Sequence, residues 1–314
     1  MTRYLEDLRK HLQKQKMSPS DIDEIISDFT GLLEEAIEEG LDPKDLINQF
    51  GDPKKVAEEL KQDTSETPLL DAISFQDWYR PEEGYDVSIH LLNEDIEVSL
   101  HDQPTIEVIL MSAKDMKHYD IKFENNKLDI QRQKNLSAWS FIIRREPKVR
   151  LLLKLPSLIG ASTFFLKNVS GDMHFRDVDV KHLNIQTTNG DFDLKRSVLD
   201  SYKHHSVNGD LELTDVETRR ADVSTVSGDI QIEKAKITGD LNLHTVNGDV
   251  KLEEIQTESL DFHTVNGDLK GKEVYPKMLK FASINGDFKL KNKVLSDIKV
   301  IKQSTINGDL KISH

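Results

Sequence analysis

The spacing of apolar residues changes once along the chain, near residue 85. Before that point apolar residues recur every three or four positions, as Leu5, Leu8 and Leu12 do, which is typical of a helix that buries one face. After it they alternate with polar residues, as in the segment Ile96-Glu97-Val98-Ser99-Leu100, which is typical of β-strands. The pattern therefore predicts a small all-α domain followed by a larger, mainly β domain.

The helical domain is predicted over residues 1–62. Its second helix carries the broadest apolar face and ends near Gly40; that face consists of Ile22, Ile25, Ile26, Phe29, Leu32, Leu33, Ala36 and Ile37. Gly51 ends a third helix, and Asp52-Pro53 begins a fourth, because glycine suits the residue after a helix and proline suits the first helical turn. The remaining faces are acidic, with Glu34, Glu35, Glu38, Glu39, Glu58 and Glu59. These acids form either a solvated face or a docking surface for a basic partner.

Residues 63–84 are predicted to be a linker whose aromatic part packs on one of the two domains. Residues 85–162 are predicted to be irregular strands. A hairpin turn is predicted between two of them at Glu124-Asn125-Asn126-Lys127, since asparagine tolerates the positive φ of a tight turn. Pro156 ends the last of these strands.

Residues 163–314 contain eight copies of a Ser/Asn-Gly-Asp triplet, and the steps between successive glycines are 19, 19, 19, 20, 19, 19 and 22 residues. An apolar residue follows each triplet, and a Val or Ile comes before most of them. Each unit is predicted to be two short strands joined at a structural turn motif. The residues of this motif are Gly171, Asp172, Gly190, Asp191, Gly209, Asp210, Gly228, Asp229, Gly248, Asp249, Gly267, Asp268, Gly286, Asp287, Gly308 and Asp309.

Two architectures fit these repeats. In an array of hairpins each Asn-Gly is a two-residue turn, whereas in a solenoid it is a corner and equivalent residues stack from coil to coil at about 4.8 Å. The near-constant step favours the solenoid, because stacked coils must be equal in length. The repeated Val or Ile before the triplet also favours it, since a hairpin would turn that side chain outward.

The two domains resemble known families. The motif Phe50-Gly51-Asp52-Pro53-Lys54-Lys55-Val56-Ala57-Glu58-Glu59-Leu60 resembles the HAAS domain of Gram-positive bacteria, which implies a helical, non-catalytic signalling module that accompanies membrane proteins or transcriptional regulators. The alternating strands and the iterated Val-Ser/Asn-Gly-Asp resemble the bacterial putative-adhesin family of β-strand-repeat proteins, which implies a right-handed β-helix-like fold without known catalytic residues. Both domains together resemble envelope-stress proteins of the LiaX type.

Composition narrows the function further. A net charge of −14 repels nucleic acid, and the absence of cysteine excludes disulfides, thiol nucleophiles and Cys-ligated zinc. The N-terminal residues lack the apolar core of a signal peptide, and no segment reaches the length of a membrane span. The expected location is the cytoplasm or the periphery of the membrane, while export by another route stays open.

Candidate chemistry is sparse, and we expect no catalytic residue, cofactor or metal. Stacked Asp side chains either accept turn amides, which is the interpretation we favour, or hold Ca²⁺. His244 and His263 occupy the same repeat position, so with Asp261 they are either surface residues or metal ligands. The sequence thus favours a non-enzymatic signalling and binding protein whose helical domain docks a protein partner. The alternatives are an extracellular adhesin and, behind it, a polysaccharide-acting β-helix enzyme.

Overall fold

The computed structural model describes residues 2–15, 17–19, 22–23, 25–27, 29–30, 47, 51–64, 75–82, 84–111, 118–132, 149–294 and 298–313. The chain divides into two compact units, which are considered one at a time. The described part of the first unit lies within residues 1–71, and that of the second lies within 72–133 and 147–314. The first is helical and the second consists almost wholly of strands.

The helical unit has its own apolar core. Helix α1 (Thr2–Lys14) and helix α2 (Pro53–Thr64) contribute to it together with helical residues between 22 and 30. The fully or nearly fully buried members are Leu8, Leu12, Ile22, Phe29, Val56 and Ala57. The predicted all-α character and the predicted apolar faces are therefore confirmed where the structure describes them. The predicted helix end at Gly40 and the acids between 34 and 39 lie outside the described residues.

Gly51 and Asp52 form the start of α2 as predicted. Gly51 has φ +78°, a conformation that favours glycine, and the Asp52 carboxylate accepts the N–H of Lys54 at 2.8 Å as a helix N-cap. The helix continues to Thr64, two residues past the predicted end of the domain at residue 62.

Within the residues that the structure describes, the second unit is one sheet of nineteen strands. They are β1 (Phe75–Tyr79), β2 (Tyr85–His90), β3 (Asp95–His101), β4 (Ile106–Met111), β5 (Tyr119–Glu124), β6 (Lys127–Arg132), β7 (Arg150–Pro156), β8 (Ala161–Asn168), β9 (Met173–Arg176), β10 (Asp179–Thr187), β11 (Phe192–His205), β12 (Leu211–Ser227), β13 (Ile230–Glu233), β14 (Lys236–Asn247), β15 (Val250–Asn266), β16 (Leu269–Asn285), β17 (Phe288–Lys291), β18 (Lys299–Asn307) and β19 (Leu310–Ser313).

The repeats form a β-solenoid, as predicted. Each strand pairs in parallel with the equivalent strand one repeat later, so that Val250 lies beside Leu269 and Leu269 beside Phe288. A hairpin array would pair neighbouring strands antiparallel, and the strands from β8 to β19 do not pair in that way. The apolar residues that follow the triplets, from Met173 to Phe288, point inward and stack into a buried row, which holds the coils together through the burial of apolar surface.

Two boundaries differ from the sequence-based prediction. Strand β1 lies inside the predicted linker 63–84 and pairs antiparallel with β4, so that segment contributes a strand to the sheet. Residues 85–101, predicted to be irregular, form a complete coil. Strands β2 and β3 stack in parallel on β8 and β9, with Asp95 aligned with Asp172 through the pairing of Ile96 with Met173.

The corner of this first coil, between β2 and β3, carries a degenerate copy of the motif, Asn93-Glu94-Asp95. Glu94 takes the place of glycine, and its buried carboxylate accepts the N–H groups of Leu92 and Asn93, the hydroxyl of Tyr119 and the guanidinium of Arg132. The search for repeats in the sequence missed this copy for two reasons. The residue at the glycine position differs, and the inserted segment before residue 161 interrupts the repeat period.

The inserted segment covers this end of the solenoid. Strands β6 and β7 pair in parallel with β2 and β3, while β4 pairs antiparallel with β7 and β5 with β6. Asn125 and Asn126, with φ of 51° and 59°, form the hairpin turn that the sequence predicts.

Candidate functional site

The Gly-Asp corners bring the predicted motif residues into columns that run along the solenoid. In every corner before the last, Oδ1 of the Asp accepts the backbone N–H of the equivalent Asp in the next coil, at 2.8–3.1 Å. The ladder is continuous through Asp95, Asp172, Asp191, Asp210, Asp229, Asp249, Asp268, Asp287 and Asp309. The carboxylates therefore accept amides, as favoured, but the amide belongs to the following coil.

A second ladder of side-chain amides lies beside the first. Nδ2 of Asn266 donates to Oδ1 of Asn247 at 2.9 Å, and Asn285 and Asn307 continue the column with the same distance. Asn208 and Asn189 form a separate pair at 2.8 Å, because the corner that follows them carries serine. Exposed amide groups thus border the carboxylates over much of the solenoid.

The corner glycines lie in close contact with the backbone of the preceding coil. A Cβ on Gly190, Gly209, Gly248 or Gly267 would overlap the carbonyl oxygen of the glycine one coil earlier. Four of the eight, Gly171, Gly190, Gly209 and Gly228, also have positive φ, whereas Gly248 and Gly267 do not. In the later coils the close approach of two backbones, and not a left-handed turn, is therefore what requires glycine.

The Val or Ile that precedes most of the triplets points away from the core of the solenoid, contrary to the argument from sequence. Val226, Val246 and Ile284 are exposed by 38%, 37% and 42%, and they form an aliphatic ridge next to the amide ladder. The residue one position earlier points inward, so this buried row carries Thr or Ser. The alternation of a strand fixes this result, because two adjacent residues cannot both face the core.

The coil turns at a second place that sequence reasoning missed. Six charged residues have φ between 50° and 58° there, each six positions after a corner glycine: Asp177, Arg196, Asp215, Lys234, Glu254 and Glu273. Their types share no preference for the left-handed region, so no local pattern reveals them. Only their common distance from the triplet could have identified them.

Charged side chains at this second corner form ion pairs with those of a neighbouring coil. The guanidinium of Arg196 contacts the Asp177 carboxylate through two hydrogen bonds of 2.7 and 2.8 Å, and this contact holds the pKa of Asp177 below its usual value. Within a single coil, Lys289 donates a hydrogen bond to Asp287 of the motif, and this bond lowers the pKa of Asp287. These pairs are exposed and contribute little to stability.

His244 and His263 lie on the outer face of their strands, with ring centroids 5.1 Å apart, and Asp261 contacts His263 at 2.8 Å. Burial and the neighbouring imidazole lower the pKa of His244. Within the described residues no group of three His, Asp or Glu side chains has an arrangement that could hold a metal ion, and this set is therefore not such a group. None of the described helices has the length and apolar character that crossing a membrane requires.

One histidine lies in the core instead. His204 occupies the inward row of β11, in contact with the rings of Phe192 and Tyr202. Burial lowers its pKa to about 3, so the imidazole is neutral in the folded protein at ordinary pH.

Comparison with known proteins agrees with this architecture. The Toastrack DUF4097 family model matches residues 86–242 and 238–314, and the HAAS family model matches residues 3–59. No curated protein matches the chain.

Solved structures with a similar fold are distant in sequence. A "putative lipid binding protein" from Parabacteroides distasonis is 13% identical with a TM-score of 0.55, covering 76% of this chain and 96% of its own. A "putative adhesin" from the same species is 14% identical with a TM-score of 0.54, covering 77% and 98%. At this identity the likeness shows the fold alone. The family model, in contrast, covers most of the sequence, and the chain belongs to the Toastrack DUF4097 family, with a HAAS module before the solenoid.

Proposed function

We propose that this protein is a non-enzymatic signalling and binding protein of the bacterial cell-envelope stress response. The observation that supports the proposal most is the presence, on one chain, of a HAAS module and a Toastrack solenoid. The solenoid is a rigid scaffold with long outer columns, and the helical module engages a protein partner. The similar structures carry names of adhesins and of a lipid-binding protein, not of enzymes.

The geometry of the corners is consistent with a scaffold. The most regular polar groups of the molecule, the Asp and Asn side chains of the triplets, are engaged in bonds between coils. In a catalytic pair of carboxylates one pKa must be raised so that one group acts as an acid. Here hydrogen bonds from Arg or Lys side chains lower the pKa values of Asp177, Glu253 and Asp287, which is the opposite of what a catalytic acid requires.

The proposal is tested in the source bacterium by following transcription of envelope-stress genes after exposure to a cell-wall antibiotic. A strain that carries Glu6→Lys with Glu58→Lys reverses two exposed charges of the helical module. A control strain carries Asp179→Lys with Asp200→Lys on the outside of the solenoid. We expect an altered response in a deletion strain and in the first variant, and a normal response in the control. A normal response in the deletion strain would refute the proposal.

The alternative, an extracellular adhesin, is favoured by the fold shared with the adhesin from P. distasonis. Fractionation separates the two functions, with a protease added to intact cells. Protection of the chain until the cells are lysed agrees with signalling inside the cell. Digestion in intact cells supports the adhesin.

A further inference from the structure

The last coils differ in charge from the rest of the chain. Residues 270–314 hold ten lysines and four acidic residues, a net charge of +6, although the whole chain carries −14. Some of these lysines are neutralised, as in the pairs of Lys272 with Glu253 and Lys289 with Asp287, both at 2.6 Å. Five exposed lysines have no ion pair with any residue that the structure describes: Lys291, Lys293, Lys299, Lys302 and Lys311.

The same coils expose aliphatic side chains. Val300 and Ile312 occupy rows that are buried elsewhere, since the equivalent residues Leu279 and Leu290 are at most 1% exposed. They are accessible because no described strand packs on the other side of β18 and β19. Val294, Ile301 and Ile306 are exposed as well, by 64%, 48% and 74%. We call these five aliphatic residues and the five unpaired lysines the basic tip.

We propose that the basic tip docks on the surface of a lipid bilayer that contains anionic lipids. Lysines near an anionic leaflet are attracted to its surface potential, and aliphatic side chains beside them enter the boundary between headgroups and acyl chains. Exposed aliphatic side chains with charged residues beside them are typical of an interaction site. The rest of the protein is acidic, so charge complementarity at these lysines selects an anionic partner.

The edge backbone limits how deeply the tip enters. Strands β18 and β19 carry N–H and C=O groups that no described strand satisfies, and such groups do not enter the hydrocarbon region of a bilayer. Headgroups and water satisfy them at the interface, so the contact is shallow and the lysines carry much of it. A second copy of the chain fits less well, because it would place five further lysines against the first five.

This inference does not depend on the partner proposed for the helical module, and the test keeps the two separate. The full chain is sedimented with vesicles of phosphatidylcholine alone and of phosphatidylcholine mixed with phosphatidylglycerol. The tip variant carries Lys299→Glu, Lys302→Glu and Lys311→Glu. The control carries Lys167→Glu, Lys181→Glu and Lys203→Glu, three exposed lysines of early coils, so both variants have the same net charge.

We expect the unaltered chain to bind only the mixed vesicles, and to bind less as salt is added. The tip variant should lose at least about 100-fold in partition coefficient, while the control keeps its binding. Replacing Ile301 and Ile306 with Ser should weaken binding and leave its salt dependence in place. The Glu6→Lys, Glu58→Lys variant should bind as the unaltered chain does, whatever its effect on signalling. Circular dichroism verifies that each variant keeps its strands.

Three results would overturn the inference. The first is no binding to the mixed vesicles at low salt. The second is an equal loss in the tip and control variants, which would reflect net charge alone. The third is a doubling of mass by light scattering without vesicles that the tip variant abolishes, which would assign the tip to a second copy of the chain.

Discussion

Two corners in each coil of the solenoid are built in different ways. At the first, a glycine lies so close to the preceding coil that a Cβ would overlap a backbone carbonyl. At the second, a non-glycine residue such as Glu254 adopts the left-handed conformation with φ 58°. The first corner requires one residue type because of a contact between coils, whereas the second accepts any residue that tolerates a modest local strain.

The difference explains why only one of these two corners has a repeated sequence motif. A corner that is restricted by another coil repeats its residue and is visible in the sequence. A corner that is restricted only by its own φ varies from Asp to Arg to Lys, and remains hidden. A corner therefore repeats its residue type in the sequence when it lies close to another coil, and not because its turn is sharp.

The largest effect that tests this comparison is expected at the first corner. Gly267→Ala should lower the free energy of unfolding by about 3 kcal/mol or more, because overlap with a backbone atom cannot be relieved by a rotamer change. The φ of Gly267 is not in the left-handed region, so the overlap is the sole cause. Denaturant unfolding measures the change, with Lys234→Ala at the second corner as control. An unchanged midpoint would show that the coils can separate without cost.

The buried and exposed histidines of β11 provide the next comparison. Because burial depresses the pKa of His204 to about 3, the unfolded chain binds a proton near pH 6.5 that the folded chain does not. The contribution of neutral His204 to stability should therefore be fully present above pH 6.5. As the pH falls, the free energy of unfolding should decrease, by about 2 kcal/mol by pH 5. His204→Phe should remove this part of the slope, and His205→Phe, on the exposed side, should not. Equal slopes in both variants would contradict the assignment.

A smaller effect is expected from the carboxylate ladder of the first corner. Asp210→Ala removes the acceptor of the Asp229 N–H and should cost about 1 kcal/mol. Asp210→Asn keeps an acceptor oxygen and removes a repulsive charge, so its thermal midpoint should equal or exceed that of the unaltered protein. If the two variants lose stability equally, the charge and not the hydrogen bond matters.

The second corner should respond least to a change of residue. Glu254→Gly relieves the left-handed strain of a non-glycine residue, but it increases the entropy of the unfolded chain by a similar amount. The net change should stay within about 1 kcal/mol. A loss as large as that of Gly267→Ala would mean that the side chain at this corner is itself required.

No effect is expected from calcium. Each motif Asp but the last already uses Oδ1 between coils, so the fold does not need a cation to hold the column together. Thermal unfolding should be the same in excess chelator and in millimolar calcium. A calcium-dependent rise of several degrees that Asp249→Asn with Asp268→Asn abolishes would reassign the column to metal binding.

The sequence by itself determined the two domains, the solenoid and the position of one corner. The period of apolar residues separates helices from strands, and the constant step of the Gly-Asp motif requires stacked coils, since both follow from the geometry of the chain. Gly51, Asn125 and Asn126 were predictable for the same local reason, because few residues tolerate their conformation.

Tertiary structure alone decided the remaining features. The neighbouring coil determines which amide the Asp210 carboxylate accepts and why Gly267 cannot carry a Cβ. Only the stacking of the coils shows that Glu94 replaces a corner glycine. The basic tip is likewise assembled from residues scattered over 291–312, which no run of basic residues announces. Contacts between residues about nineteen positions apart carry no local pattern, because their energy appears only after the coils have stacked.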